Sequence, residues 1–215
     1  MNPDNQNPFA FVAEYDGDEK TIYDITFDSM LPLMPLRDIA LFPGVILPIT
    51  VGRLGSIRVC KHAYEDGSFI VCATQREPDV DSPKQSNELY DIAVVARVIR
   101  IFETPNDTTT AIIQGFAPVR LEQVFATDGT LVGQVSPLRE HYEEMQSSDF
   151  KAVSDTLLSE LREYVQLNEQ YSNEMAAALS NVSTMRFFVN FVCANMPMET
   201  VIKIELLREM SPINR

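Results

Sequence analysis

Between Leu31 and Arg139 the apolar residues come in short runs divided by turn-forming residues, and beyond Arg139 they recur at helical spacing instead. Runs of this kind, rich in β-branched side chains, predict strands at Leu31–Leu36, Val45–Val51, Phe69–Thr74, Ile92–Phe102, Thr108–Gln114, Val119–Phe125 and Leu131–Val135. The prolines inside the first run suit an edge strand, because proline has no N–H for an inner ladder. Pro105-Asn106-Asp107 and Asp128-Gly129 predict hairpin turns. One helix interrupts the strands: Leu54, Ile57, Cys60, Ala63 and Tyr64 share a face over Arg53–Glu65, and Gly67 ends it. Further helices are predicted from Phe150 through Val165 with Ser147, Ser148 or Asp149 as cap, around Glu174–Leu179, over Thr184–Asn195 and over Met198–Met210. The expected fold class is therefore α+β. A β-rich domain over 31–139 with one internal helix closes into a barrel or half-barrel, and a helical bundle over 140–215 follows.

Composition adds a third region. Residues 1–30 are polar and acidic with scattered aromatics, which predicts a flexible arm that pins a few rings onto the body. The whole chain of 215 residues carries a formal charge of −14, concentrated at its two ends, while the middle is nearly neutral. This argues against a nucleic-acid surface, which needs a basic stripe to displace counterions. No run approaches the roughly 18 apolar residues of a membrane span. Neither a secretory signal nor an arginine-rich transit peptide opens the chain, and three widely spaced cysteines read as buried reduced thiols. The expected location is the cytoplasm of a bacterium.

The chemistry-bearing motifs are missing. None of the eight glycines precedes a lysine, so there is no phosphate loop. There is neither a G-x-S-x-G elbow nor an H-E-x-x-H pair. His62 and His141 lie far apart, and the carboxylate pairs Asp79/Asp81 and Glu143/Glu144 stand in polar loops. These residues are expected to contain no complete catalytic machinery and to require no cofactor or metal.

The stretch from Leu33 to Arg53 resembles the opening signature of the Lon N-terminal domain family of ATP-dependent proteases. The matching positions are Pro35, Leu36, Arg37, Asp38, Phe42, Pro43, Pro48, Ile49, Val51, Gly52 and Arg53. Tyr90–Ile101 and Gln114–Leu121 resemble later strands of that family, with Ala93 in place of its usual glycine and Pro118 in place of its usual arginine. The resemblance implies a PUA-like pseudo-barrel that binds unfolded or tagged proteins and helps assemble a homohexamer. It implies too that an ATPase module, with its ATP and Mg, and a Ser-Lys peptidase follow beyond residue 215. Two other readings stand beside it: a free-standing binding protein that recruits clients to another machine, and an RNA-binding barrel.

Capture of unfolded chains calls for adaptable apolar surface. The nine methionines, among them Met30, Met34, Met196 and Met198, are one possible supply or else core filler. The candidate substrate-binding residues are Phe42 and Pro43, in an apolar loop between two strands, and Arg53 and Leu54, at the start of the first helix. Phe42 either meets a client or, if buried, caps the barrel, and Arg53 either faces the client or pairs with a carboxylate such as Asp38.

Overall fold

The computed structural model describes residues 11–12, 24–103, 108–167 and 184–215. Among the described residues there are seven strands: β1 (Phe11–Val12), β2 (Met30–Leu36), β3 (Val45–Val51), β4 (Ile70–Gln75), β5 (Leu89–Glu103), β6 (Thr109–Thr127) and β7 (Thr130–Pro137). Four α-helices are described: α1 (Leu54–Asp66), α2 (Ser148–Leu167), α3 (Met185–Asn195) and α4 (Thr200–Arg208). The sheet runs β1-β3-β6-β5-β4-β2-β7, and β6 also pairs with β7. That extra pairing closes β6, β5, β4, β2 and β7 into a ring, and β3 and β1 hang from β6 outside it.

The 19-residue β6 makes this closure possible. Its first part, Thr109–Gln114, pairs with β3, and its last part, Val119–Thr127, pairs with β7. Between them the register with β5 shifts, and Pro118 sits at that irregularity opposite Val94. A proline tolerated at a bulge lets one strand turn from one partner to another. What reads along the chain as two strands, Thr108–Gln114 and Val119–Phe125, is thus one bent strand. The β6–β7 turn has positive φ at both Asp128 (49°) and Gly129 (73°), as a two-residue hairpin of matching twist requires.

β2 is not an edge strand. It lies between β4, parallel to it, and β7, antiparallel to it. Its prolines are tolerated because the two pairings overlap only at Leu33: Pro32 belongs to the half facing β7 and Pro35 to the half facing β4. Each proline therefore has a side on which no ladder bond is due.

Alternation along the ring strands sends side chains to two cores. Leu33, Val71, Ala73, Ala93, Val95, Val119, Leu121 and Val135 form one cluster, on which Ile25 and Phe27 pack. Their neighbours Met34, Leu36, Cys72, Val94 and Ala96 point the other way and meet Val59, Cys60 and Ala63 of α1. That second cluster also takes in Val189 and Cys193 of α3 and Ile204 and Leu207 of α4. The helices after Arg139 accordingly do not form a bundle of their own. α3 and α4 cover the barrel's outer face, and α2 packs Leu161 and Val165 on Phe187, Phe188 and Phe191 of α3. The expected helix at Glu174–Leu179, the turn at 105–107 and most of the acidic arm lie outside the described residues; within the arm, Phe11–Val12 pairs with Val45–Ile46.

Candidate functional site

α1 begins without a side-chain cap. Arg53 occupies the cap position in extended conformation, and Gly67 closes the far end in the left-handed region. Because Arg53 precedes the helix, its side chain is free to reach sideways. Its guanidinium donates to the carbonyls of Pro35 (3.3 Å), Val80 (3.4 Å) and Asp81 and to Oε1 of Gln75. Buried Gln75 in turn donates to the Val80 carbonyl at 2.8 Å. Arg53 thus ties the end of β2, the end of β4 and the 76–85 loop to the start of α1. Burial, then the neighbouring Arg37, pushes its pKa down, and Asp81 opposes this; a guanidinium remains charged regardless.

A groove of about 850 Å³ opens beside this junction, walled by Pro35, Leu36, Ile39, Pro48, Ile49 and Leu54. Arg37, Arg53 and Asp81 supply its charged rim, with Arg37 and Asp81 paired at 3.3 Å. A smaller cavity of about 220 Å³ lies on the other side of Arg53, between β2, the 82–84 loop and the β6–β7 hairpin.

The four residues singled out in sequence divide evenly. Leu54 is 80 % exposed at the groove's lip and Arg53 forms its corner. Phe42 and Pro43 do not join them: Phe42 is 0 % exposed and packs in the core shared by barrel and helices, and Pro43 is buried too. Phe42 therefore offers no surface to a partner, and its burial contributes about 2–3 kcal/mol to stability. Arg53 does not pair with Asp38, whose carboxylate instead accepts from the Thr200 hydroxyl at 2.7 Å. Met34 is core, and Met30 is exposed. The sequence reading gave no site role to Pro35, Pro48, Ser56, Asp81 or Lys84. Pro35 and Pro48 did carry a signal, as fixed positions of the signature.

Neither histidine joins this site, and each meets a carboxylate on its own stretch of chain. His62 meets Asp66 at 2.8 Å one helical turn away, and His141 lies 3.8 Å from Glu144. Among the described residues no cluster of His, Cys, Asp and Glu is suited to a metal ion, and no helix is long and apolar enough to cross a membrane.

The family model for the ATP-dependent protease La (LON) substrate-binding domain matches residues 30–215, which includes the whole barrel, the groove and the helices packed on it. The chain belongs to this Lon family. The Lon protease of Cytophaga hutchinsonii is 30 % identical over 203 residues, covering 94 % of this chain and 24 % of that protein. The Lon protease of Porphyromonas gingivalis is 32 % identical over 202 residues, covering 93 % and 24 %. The chain thus spans about a quarter of the length of these Lon relatives. The fold is that of solved Lon N-terminal domains. The domain from the Mycobacterium avium complex aligns with a TM-score of 0.68 at 15 % identity, covering 86 % of this chain and 92 % of that one. A Lon N-terminal domain protein from Xanthomonas campestris aligns with a TM-score of 0.56 at 17 % identity.

Proposed function

We propose that this chain is the polypeptide-capturing part of a Lon-type ATP-dependent protease, and that unfolded or tagged clients rest in the groove beside Arg53 and Leu54. The observation that carries the reading is the groove itself, about 850 Å³ and lined by more apolar than polar surface, whose lip presents a large, mostly solvated leucine. Exposed apolar surface around a concavity is what a binder of unfolded chains needs. Proline and aliphatic walls accept varied side chains without a matched polar partner, and this favours breadth over selectivity. Arg53 acts by position: it holds the 76–85 loop as one wall, so the groove exists before a client arrives.

On this reading the chain works within a homohexamer in the bacterial cytoplasm. ATP, Mg and the Ser-Lys dyad belong to parts of the protease outside these residues, and the capture step needs no cofactor. The test compares binding of a labelled, permanently unfolded protein with binding of its folded form. We expect preference for the unfolded form, and Leu54→Ser should weaken that binding about tenfold with an unchanged melting temperature. Equal affinity for both forms would remove the capture role. Native mass spectrometry of the longer protease, with and without these residues, tests the assembly role separately.

A further inference from the structure

The first turn of α1 holds more hydrogen-bonding capacity than the fold uses. The first backbone bond of the helix runs from the Ile57 N–H to the Arg53 carbonyl at 2.9 Å, so the amides of Leu54, Gly55 and Ser56 precede any intrahelical acceptor. Most helices place Ser, Thr, Asp or Asn before this turn to receive them; here the cap is Arg53, and no acidic residue stands in the first turn. Gly55 is needed for the helix to start where it does, since a Cβ there would overlap the Gly129 carbonyl.

Ser56 adds an independent observation. It is only 7 % exposed, lines both the groove and the smaller cavity, and its hydroxyl makes no hydrogen bond among the described residues. The hydroxyl oxygen is not fully enclosed, which leaves it open to a partner from the cavity side. The surroundings favour an anionic one. The linings of the two cavities hold Arg37, Arg53 and Lys84 against the single carboxylate of Asp81, in a chain of net charge −14. Each of the three Arg53 nitrogens already donates to a protein acceptor, so Arg53 contributes chiefly field, and the amides and Ser56 contribute the donors. The smaller cavity beside them is walled by Leu33, Pro35, Pro83, Ala126 and Leu131. Its volume of about 220 Å³ exceeds the roughly 150 Å³ of an apolar cavity that accepts benzene.

We propose that this corner binds the free α-carboxylate at the end of a polypeptide. The carboxylate takes the Leu54–Ser56 amides and the Ser56 hydroxyl, and the last side chain, aliphatic or aromatic, enters the apolar cavity. The inference rests on the groove reading and gives it a direction, because a client would be held by its C-terminal end. Inorganic phosphate shares the anion chemistry of a helix N-terminus but has nothing to place in the apolar cavity.

The test is fluorescence anisotropy of the 215-residue chain with a short labelled peptide ending in leucine, supplied as the free acid and as the C-terminal amide. The amide is expected to bind about tenfold more weakly. Ser56→Asp puts a carboxylate at the third helical position, where it favours the helix and occupies the donors, and should abolish the difference between acid and amide. Leu54→Asp does the same from a solvated position and so covers the case in which the first variant misfolds. Inorganic phosphate should compete with the acid only. Indistinguishable binding of acid and amide, with Leu54→Ser still weakening both, would overturn the carboxylate site and leave the groove standing, even if phosphate bound. Failure of both peptides to bind would overturn the two readings together.

Discussion

Glu140 lies where the barrel gives way to helices, and its carboxylate is 0 % exposed between Arg186 at 2.8 Å and Arg215 at 2.7 Å. Arg215, itself 1 % exposed, also donates to Oδ1 of Asn190 at 2.8 Å. A buried pair adds little over an apolar replacement, but removing one member strands the other's charge. Glu140→Ala is therefore expected to lower the unfolding free energy by about 3–5 kcal/mol, read from urea denaturation. A cost below 1 kcal/mol would mean that water reaches the arginines. The thiols give a pH-dependent counterpart. Burial pushes Cys60 to about 12 and Cys193 to about 11, and pushes Cys72 up as well, with Cys60 adding to it. An unfolded thiol ionises near 9, so the folded state keeps protons that the unfolded state has lost. The thiols' contribution is full below about pH 9 and is lost progressively as pH rises toward 12. The urea midpoint should accordingly drop between pH 8 and about pH 10, and drop less in Cys60→Ala. At pH 8 a thiol reagent should label the native chain only as fast as it unfolds.

At the scale of elements, the bounds of α1 are legible, because Gly67 fixes its end, but its buried face is legible only in part: Cys60 and Ala63 are buried, joined by Ser56 and Val59, while Leu54 and Tyr64 face solvent. The strands were legible as apolar runs, but how they pair was not. Gly115 and Pro118 look like breaks along the chain, yet the strand bends there without ending. Gly115 is required because a Cβ would overlap the carbonyl of Phe42, whose loop is fastened by a bond from the Gly44 N–H to the Gly115 carbonyl at 2.9 Å. That contact is 73 residues distant in sequence for Phe42, and no local pattern announces it. It is also why Phe42 and Pro43 resembled a surface loop: an apolar turn between strands reads the same whether solvent or another strand covers it. Arg53 carries the prediction for this scale. Arg53→Ala leaves Pro35, Gln75 and Val80 without their shared donor, so hydrogen exchange at the 76–85 loop should accelerate while the core strands keep their protection. Arg53→Lys, a point charge without the planar fork, should restore only part of it. Unchanged exchange in the loop would show that Gln75 alone suffices to hold it.

For the whole molecule, the charge pattern and the missing motifs were plain in the sequence, whereas the site is built from pieces far apart along it. Pro35, Pro48, Arg53, Ser56, Asp81 and Lys84 meet only because α1 is pressed between β2, the 76–85 loop and the β6–β7 turn. The change from strand to helix near Arg139 suggested two units, yet the apolar cluster under α1 continues into Val189, Cys193, Ile204 and Leu207. Polar bonds cross the same line, from Thr200 to Asp38 and from Arg208 to Asp91. Amphipathic helices show that they have an apolar face but not what it lies on, which is why a separate bundle was the natural expectation. If barrel and helices share one core, neither part can unfold alone without exposing it. Urea unfolding followed by far-ultraviolet circular dichroism, dominated by the helices, and by the fluorescence of a Phe69→Trp variant, which puts a tryptophan in the barrel of a chain that has none, is then expected to give coincident midpoints and a single slope. A chain ending at Arg139 should aggregate or lack fixed tertiary structure, since β3 loses its cover from α3 and β5 its cover from α4. Two separated transitions, or a soluble truncated barrel with native-like amide dispersion, would instead make the boundary at 139–140 a true domain border, and the groove could then be studied apart from the helices.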